Sequence, residues 1–411
     1  MPRKPERIVI TGMGIASPIG CDPDTVSLAL REGRSGVRAM PDWRDVDGLG
    51  AHVAALVDGL DLQAMIPRKF RRSMGRVAQL CYYAVERATA MAGVSAEARA
   101  SGRVGLSIGS TTGSPAATLD YYANIIGPGM RANKSTAFLQ VMSHTCAANM
   151  ALAFGVTGRV WAPNSACTSA SQAIGLAFDT LRAGAQDVMI CGGAEEAHYT
   201  TAGTFDLSGA ASRAYNDRPE MTPRPFDRDR DGMVVGEGAG ILVLERRDHA
   251  LARGVPILGE IVAFSSTCDG GHMTSPEAAG MQACIGRALA DADLKPTDID
   301  YINAHATGTE LGDIAEAQAT HAVFADGVPI SSTKGYMGHT LGACGAIEAI
   351  LGVLMLRDGF IAGGKNLENI DPRCAGPDFI RTSRAATLHY IMSNNFAFGG
   401  INTSLILAPG G

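Results

Sequence analysis

The stretch Asn164-Ser165-Ala166-Cys167-Thr168-Ser169-Ala170 decides the reading of this chain. A thiol is followed by small residues and then by apolar positions at Ala173, Ile174, Ala177 and Leu181, a helical spacing. That pattern places Cys167 on a sharp turn at a helix N-terminus, where free backbone N–H groups and the helix dipole favour thiolate. The competing reading is a buried structural cysteine. Two downstream histidines decide between the two, in His305-Ala306-Thr307-Gly308-Thr309 and in Gly338-His339-Thr340-Leu341-Gly342-Ala343. One thiol and two imidazoles in such contexts point to carbon chemistry rather than simple hydrolysis.

Working outward, three further segments fall in order along the chain. They are Arg7-Ile8-Val9-Ile10-Thr11-Gly12-Met13-Gly14, Arg224-Pro225-Phe226-Asp227-Arg228-Asp229-Arg230-Asp231-Gly232 and Ser393-Asn394-Asn395-Phe396-Ala397-Phe398-Gly399-Gly400-Ile401-Asn402. With the Cys-His-His set, they resemble the β-ketoacyl-acyl carrier protein synthases over nearly the whole chain, and among them the elongating, KAS I/II-like condensing enzymes of the thiolase-like superfamily. Initiating synthases of that superfamily carry Asn where this chain has His339. Degradative thiolases place a second cysteine in a C-terminal Cys-Gly-x-Gly context. The nearest imitation here is Cys344, in Gly342-Ala343-Cys344-Gly345-Ala346, which is expected to pack a helix.

The resemblance implies a duplicated α-β-α-β-α layered α/β fold and a decarboxylative Claisen condensation. An acyl group from carrier protein is held on Cys167, malonyl-carrier protein loses carbon dioxide, and the resulting enolate attacks the acyl carbonyl. His305 and His339 supply hydrogen bonds to the malonyl oxyanion, and the backbone N–H groups of Cys167 and Phe398 form the hole for acyl transfer. Lys334 and Glu348 match a pair that orders the histidine loops, and Thr307 and Thr309 match threonines that bind the pantetheine arm. Phe398 matches a gating phenylalanine, while Thr112 and Phe205 are candidates for the acyl pocket. Ala306 and Ile401 depart from the family's usual Gly and Thr. No metal or redox cofactor is implied, and a homodimer is, with a heterodimer of related subunits as the other possibility.

Composition fits this picture. The 411 residues are 46% apolar with 50 dispersed glycines, as in a large globular protein rich in turns. The basic N-terminus leads into a strand rather than a signal peptide, and no uncharged apolar run of about 18 residues suggests a membrane span. Nine cysteines without metal-like spacing favour reduced thiols in the cytoplasm. A net charge of -6 argues against nucleic acid, yet carrier proteins are themselves acidic. A local basic patch is therefore needed, and Arg68, Lys69, Arg71, Arg72 and Arg76 supply one, with Arg131 and Lys134 as an extension; the bland alternative is a solvated helix face.

Strands alternating with alanine-rich helical stretches suggest two halves, 1–255 carrying the cysteine and 256–411 carrying the histidines, joined through a helix that ends at Gly254. A discrete ketosynthase of polyene or type II polyketide assembly is the alternative function. A non-catalytic chain-length-controlling partner subunit is a third, opposed by the presence of Cys167, His305 and His339.

Overall fold

The computed structural model describes residues 6–325 and 327–411, so most of the basic N-terminal stretch, Met1–Pro5, lies outside the described residues. The apolar run from Ile8 forms a long strand, β1 (Ile8–Ala16). It is followed by β2 (Val104–Gly109), β3 (Val160–Trp161), β4 (Val188–Glu195) and β5 (Gly238–Arg246). The remaining strands of the main sheet are β6 (Gly259–Cys268), β7 (Tyr301–Asn303), β8 (Pro329–Ser331), β9 (Asp378–Phe379), β10 (Ile391–Ala397) and β11 (Ile401–Pro409). The run expected to open the second half at Pro256 joins the sheet only at Gly259, which pairs with Ile10. Proline has no N–H to give to a ladder.

These eleven strands form one sheet in the order β9-β8-β7-β10-β11-β6-β1-β5-β4-β2-β3, beside two small sheets of two and three strands. From the central antiparallel pair β1/β6 the order outward is first, last, fourth, second, third strand on one side. On the other side β6, β11, β10, β7 and β8 repeat it, with β9 added at the edge. The pairing senses repeat as well, two antiparallel contacts followed by parallel ones. This duplication is invisible in the sequence, because strand pairing follows patterning and geometry rather than residue identity.

Both faces of the sheet are covered. Along β4, Met189 and Cys191 join one core while Val188 and Ile190 join another, and β11 divides the same way between Leu405 and Ile406. The outer cores are closed by α1 (Arg76–Met91) on one half and by α4 (Ala278–Ala292) and α5 (Glu310–Phe324) on the other. The shared middle core holds α2 (Ser169–Arg182) and α6 (Cys344–Asp358). Every residue of α6 from Cys344 to Met355 is buried, as expected of a helix apolar on all sides. The result is the layered α-β-α-β-α arrangement. The connecting helix α3 (Arg247–Arg253) ends at Gly254, whose φ of 66° lets it cap the last turn.

Candidate active site

The two middle helices bring distant sequence together. Cys167 lies two residues before α2, on a turn in which Ala166 takes the left-handed value φ 51°, unusual for a residue with a Cβ. His339 sits between a short helical turn, Lys334–Met337, and the entry to α6. His305 follows β7. Donor atoms of the three side chains lie within 4.8 Å of one another. His339 Nε2 is 2.9 Å from Cys167 Sγ, and the two imidazole rings meet edge to face at 5.1 Å between centroids. All three line a cavity of about 410 Å3.

Burial sets the charge states. Desolvation, with Lys334 adding repulsion, holds both imidazoles well below their ordinary range, so they are neutral and can donate one N–H each. Desolvation also pushes the Cys167 thiol up to about 12, although Lys334 opposes it. The helix N-terminus that the sequence reading has favouring thiolate is present, and burial of Cys167, 8% exposed, works in the opposite direction.

Lys334 and Glu348 form an ion pair between fully buried side chains. Asn395 Nδ2 donates to the other Glu348 oxygen at 2.6 Å and also approaches Cys344 Sγ at 3.5 Å. Cys344 opens α6 as expected, and its thiol donates to the Cys167 carbonyl at 3.2 Å. A chain of contacts thus runs from the lysine to the backbone of Cys167.

Three buried acids went unread in the sequence. Glu316 accepts from the backbone N–H of His305 at 2.8 Å and of Ala306 at 2.6 Å, and burial raises its carboxyl to about 8. Asp313 accepts from Thr307 and Gly308, both at 3.1 Å. Glu195 accepts from Thr111 at 2.8 Å and Gly342 at 2.9 Å, tying the loop after β2 to the turn after His339. The available signal was two acids three residues apart on a helix otherwise rich in alanine, and an acid closing an apolar strand.

The other expected residues separate into groups. Thr307, Thr309, Phe205 and Phe398 line the cavity, and Thr307 donates to Thr309 at 3.1 Å. Phe398 stands at the β10–β11 turn, 41% exposed, with its ring 5.9 Å from Phe205 and two positive-φ glycines after it. Thr112 instead lies near Glu195, at 3.4 Å, outside the residues lining the cavity.

Of the basic cluster, Arg76 is bound to the buried Glu237 and Arg71 donates to Gln63 and Ile66 carbonyls. Arg68, Lys69 and Arg72 are exposed and make no ion pair among the described residues. Gln140, six residues beyond Lys134, donates to the Arg72 carbonyl at 3.5 Å.

Residues 5–250 match the family model described as Beta-ketoacyl synthase, N-terminal domain, and residues 258–368 match Beta-ketoacyl synthase, C-terminal domain. The chain is 40% identical over 405 residues to 3-oxoacyl-[acyl-carrier-protein] synthase 1 of Escherichia coli strain K12, covering 98% of both. It is 39% identical over 403 residues to the protein of the same name from Haemophilus influenzae, covering 97% of this chain and 98% of that one. Among solved structures, a β-ketoacyl synthase from Burkholderia phymatum STM815 superposes with a TM-score of 0.95 at 46% identity, covering 98% and 99% of the two chains. The ishigamide ketosynthase/chain length factor superposes with a TM-score of 0.92 at 30% identity, covering 99% and 100%.

Proposed function

The chain belongs to the β-ketoacyl synthase family and is an elongating condensing acyltransferase of the 3-oxoacyl-[acyl-carrier-protein] synthase type; from that premise we propose how its residues divide the reaction. The observation that carries the proposal is the convergence of Cys167, His305 and His339 at the buried wall of one cavity. In the first half-reaction Cys167 Sγ attacks the acyl thioester carbonyl while its proton passes to His339 Nε2, the base in contact with it. The proton then leaves on the departing pantetheine thiol. In the second, the malonyl carboxylate departs as carbon dioxide and its bonding pair forms an enolate, whose oxygen accepts the N–H groups of the two neutral imidazoles, His339 presenting its Nε2–H tautomer once Sγ carries the acyl group. The enolate carbon attacks the acyl carbonyl, and the tetrahedral intermediate expels Cys167 as thiolate, which takes a proton from solvent through the cavity to restore the thiol.

Backbone N–H groups of Cys167 and Phe398 hold the acyl oxyanion, and loss of one such donor costs on the order of 100-fold to 1000-fold in rate. Lys334 and Glu348 act by positioning His305 and His339, and Thr307 and Thr309 face the pantetheine arm. Phe205 borders the acyl pocket and Phe398 gates it. The halves 1–255 and 256–411 contribute nucleophile and histidines respectively, a division supported by family models that meet between residues 250 and 258.

The partner is an acyl carrier protein, docked through Arg68, Lys69 and Arg72 with Arg131 and Lys134. Two copies of the chain pair through β3, an edge strand with Val160 44% and Trp161 41% exposed. Nine free thiols support a cytoplasmic setting. No helix among the described residues is long and apolar enough to cross a membrane.

The test separates the half-reactions. Cys167→Ala should abolish condensation while leaving some malonyl decarboxylation. His305→Ala should lose decarboxylation yet still accumulate acyl-Cys167, seen as a mass shift on the peptide containing it. Acyl label on another cysteine would refute the assignment, as would folded His305→Ala and His339→Ala variants that both resist acylation. A second reading, polyene or polyketide assembly, is favoured by the structural likeness to the ishigamide ketosynthase. A panel of acyl-carrier proteins read by intact mass distinguishes the two.

A further inference from the structure

The three reacting groups are also a ligand set. A thiol sulfur and two imidazole nitrogens, all buried and all reached through one cavity, lie within 4.8 Å of one another. In a tetrahedral site with Zn–S near 2.3 Å and Zn–N near 2.0 Å, such donors sit roughly 3.5 Å apart. Shifts on the order of 1 Å would close the set: His305 moves in, and the 2.9 Å contact between His339 and Cys167 opens to admit the ion. The fourth position faces the cavity. Soft thiolate with imidazole suits Zn2+ and its neighbours, while Mg2+ and Ca2+ prefer oxygen.

We infer that the Cys167-His305-His339 site binds a zinc-class divalent ion in place of substrate, as a reversible inhibitor of condensation. On binding, the Cys167 thiol releases its proton to solvent through the cavity and an Sγ–metal bond forms. No electron changes hands, and a chelator reverses the step. Lys334 opposes the ion, but its charge is matched by Glu348 in a fully buried ion pair. Neither Nδ1 has a hydrogen-bond partner among the described residues, so the carboxylate support typical of resident zinc sites is missing. This fits an exchangeable inhibitor rather than a permanent cofactor.

The inhibition rests on the functional reading above; the binding does not. Enzyme freed of metal is therefore titrated without substrate, using Zn2+ against a chromogenic chelator and Co2+ by absorption. One equivalent should bind per chain, with a near-ultraviolet thiolate-to-cobalt charge-transfer band, and Mg2+ should not compete. Cys167→Ala, checked for folding by circular dichroism, should lose the band and at least 100-fold in Zn2+ affinity, whereas Cys268→Ser should keep both. In the unaltered enzyme, Zn2+ should protect Cys167 from iodoacetamide at the level of its peptide mass, and chelation should restore alkylation. Binding that persists in Cys167→Ala, a missing charge-transfer band, or alkylation indifferent to Zn2+ overturns the inference. Condensation in metal-free buffer separately tests the reaction itself.

Discussion

At the scale of single residues, the site is governed by desolvation. Burial opposes ionisation of the Cys167 thiol and the His339 imidazole is already in contact with it, so in the proposed reaction attack and proton transfer are coupled. Because burial raises the thiol to about 12, the thiolate fraction climbs about tenfold per pH unit through the neutral range. Iodoacetamide alkylation of the free enzyme should therefore still be rising at pH 10, and Lys334→Met should slow it by removing the charge that favours thiolate. A plateau by pH 8 would show that the helix N-terminus and His339 outweigh burial. Lys334 itself carries a structural cost. Replacing it alone leaves Glu348 buried without its counter-charge, so Lys334→Met should lose about 3–5 kcal/mol in denaturant unfolding. The double change Lys334→Met with Glu348→Leu should recover part of that loss.

Between elements, loops are held by buried charges reaching backbone groups. The Arg230 side chain is 2% exposed, and its guanidinium donates to the carbonyls of Thr309 at 3.1 Å, Glu310 at 3.0 Å and Asp227 at 2.9 Å, and to Asp371 at 2.7 Å. Asp313 holds the other side of the same loop through Thr307 and Gly308. The central 224–232 loop thus fastens the threonines proposed to meet pantetheine. Arg230→Lys keeps the charge but loses the planar fork. It should raise KM for pantetheine thioesters about tenfold, equivalent to roughly 1.4 kcal/mol, while leaving alkylation of Cys167 by iodoacetamide unchanged. Equal losses in both assays would mean a general folding defect instead.

On the scale of the whole molecule, a chain of net charge -6 must meet an acidic partner through a local exception. Only three of the five cations between Arg68 and Arg76 remain uncommitted, since Arg71 and Arg76 serve the fold. Charge reversal at Arg68 and Arg72 should raise KM for carrier-linked substrate and flatten its dependence on ionic strength, with small pantetheine thioesters processed as before. An equal effect on both substrate types would remove the docking role. The grouping of Cys167 with His305 and His339, the Lys334–Glu348 pair and the alternating α/β pattern were legible in the sequence, because each depends on a local motif or on hydrophobic periodicity. Tertiary structure alone decided the rest. The repeated strand order joins halves with no visible identity, and the carboxylates of Glu195, Asp313 and Glu316 bond backbone groups that leave no mark in a residue pattern. The burial that opposes thiolate at Cys167 was also decided there, since a dipole can be read from a helix start but dehydration depends on every residue packed around the sulfur.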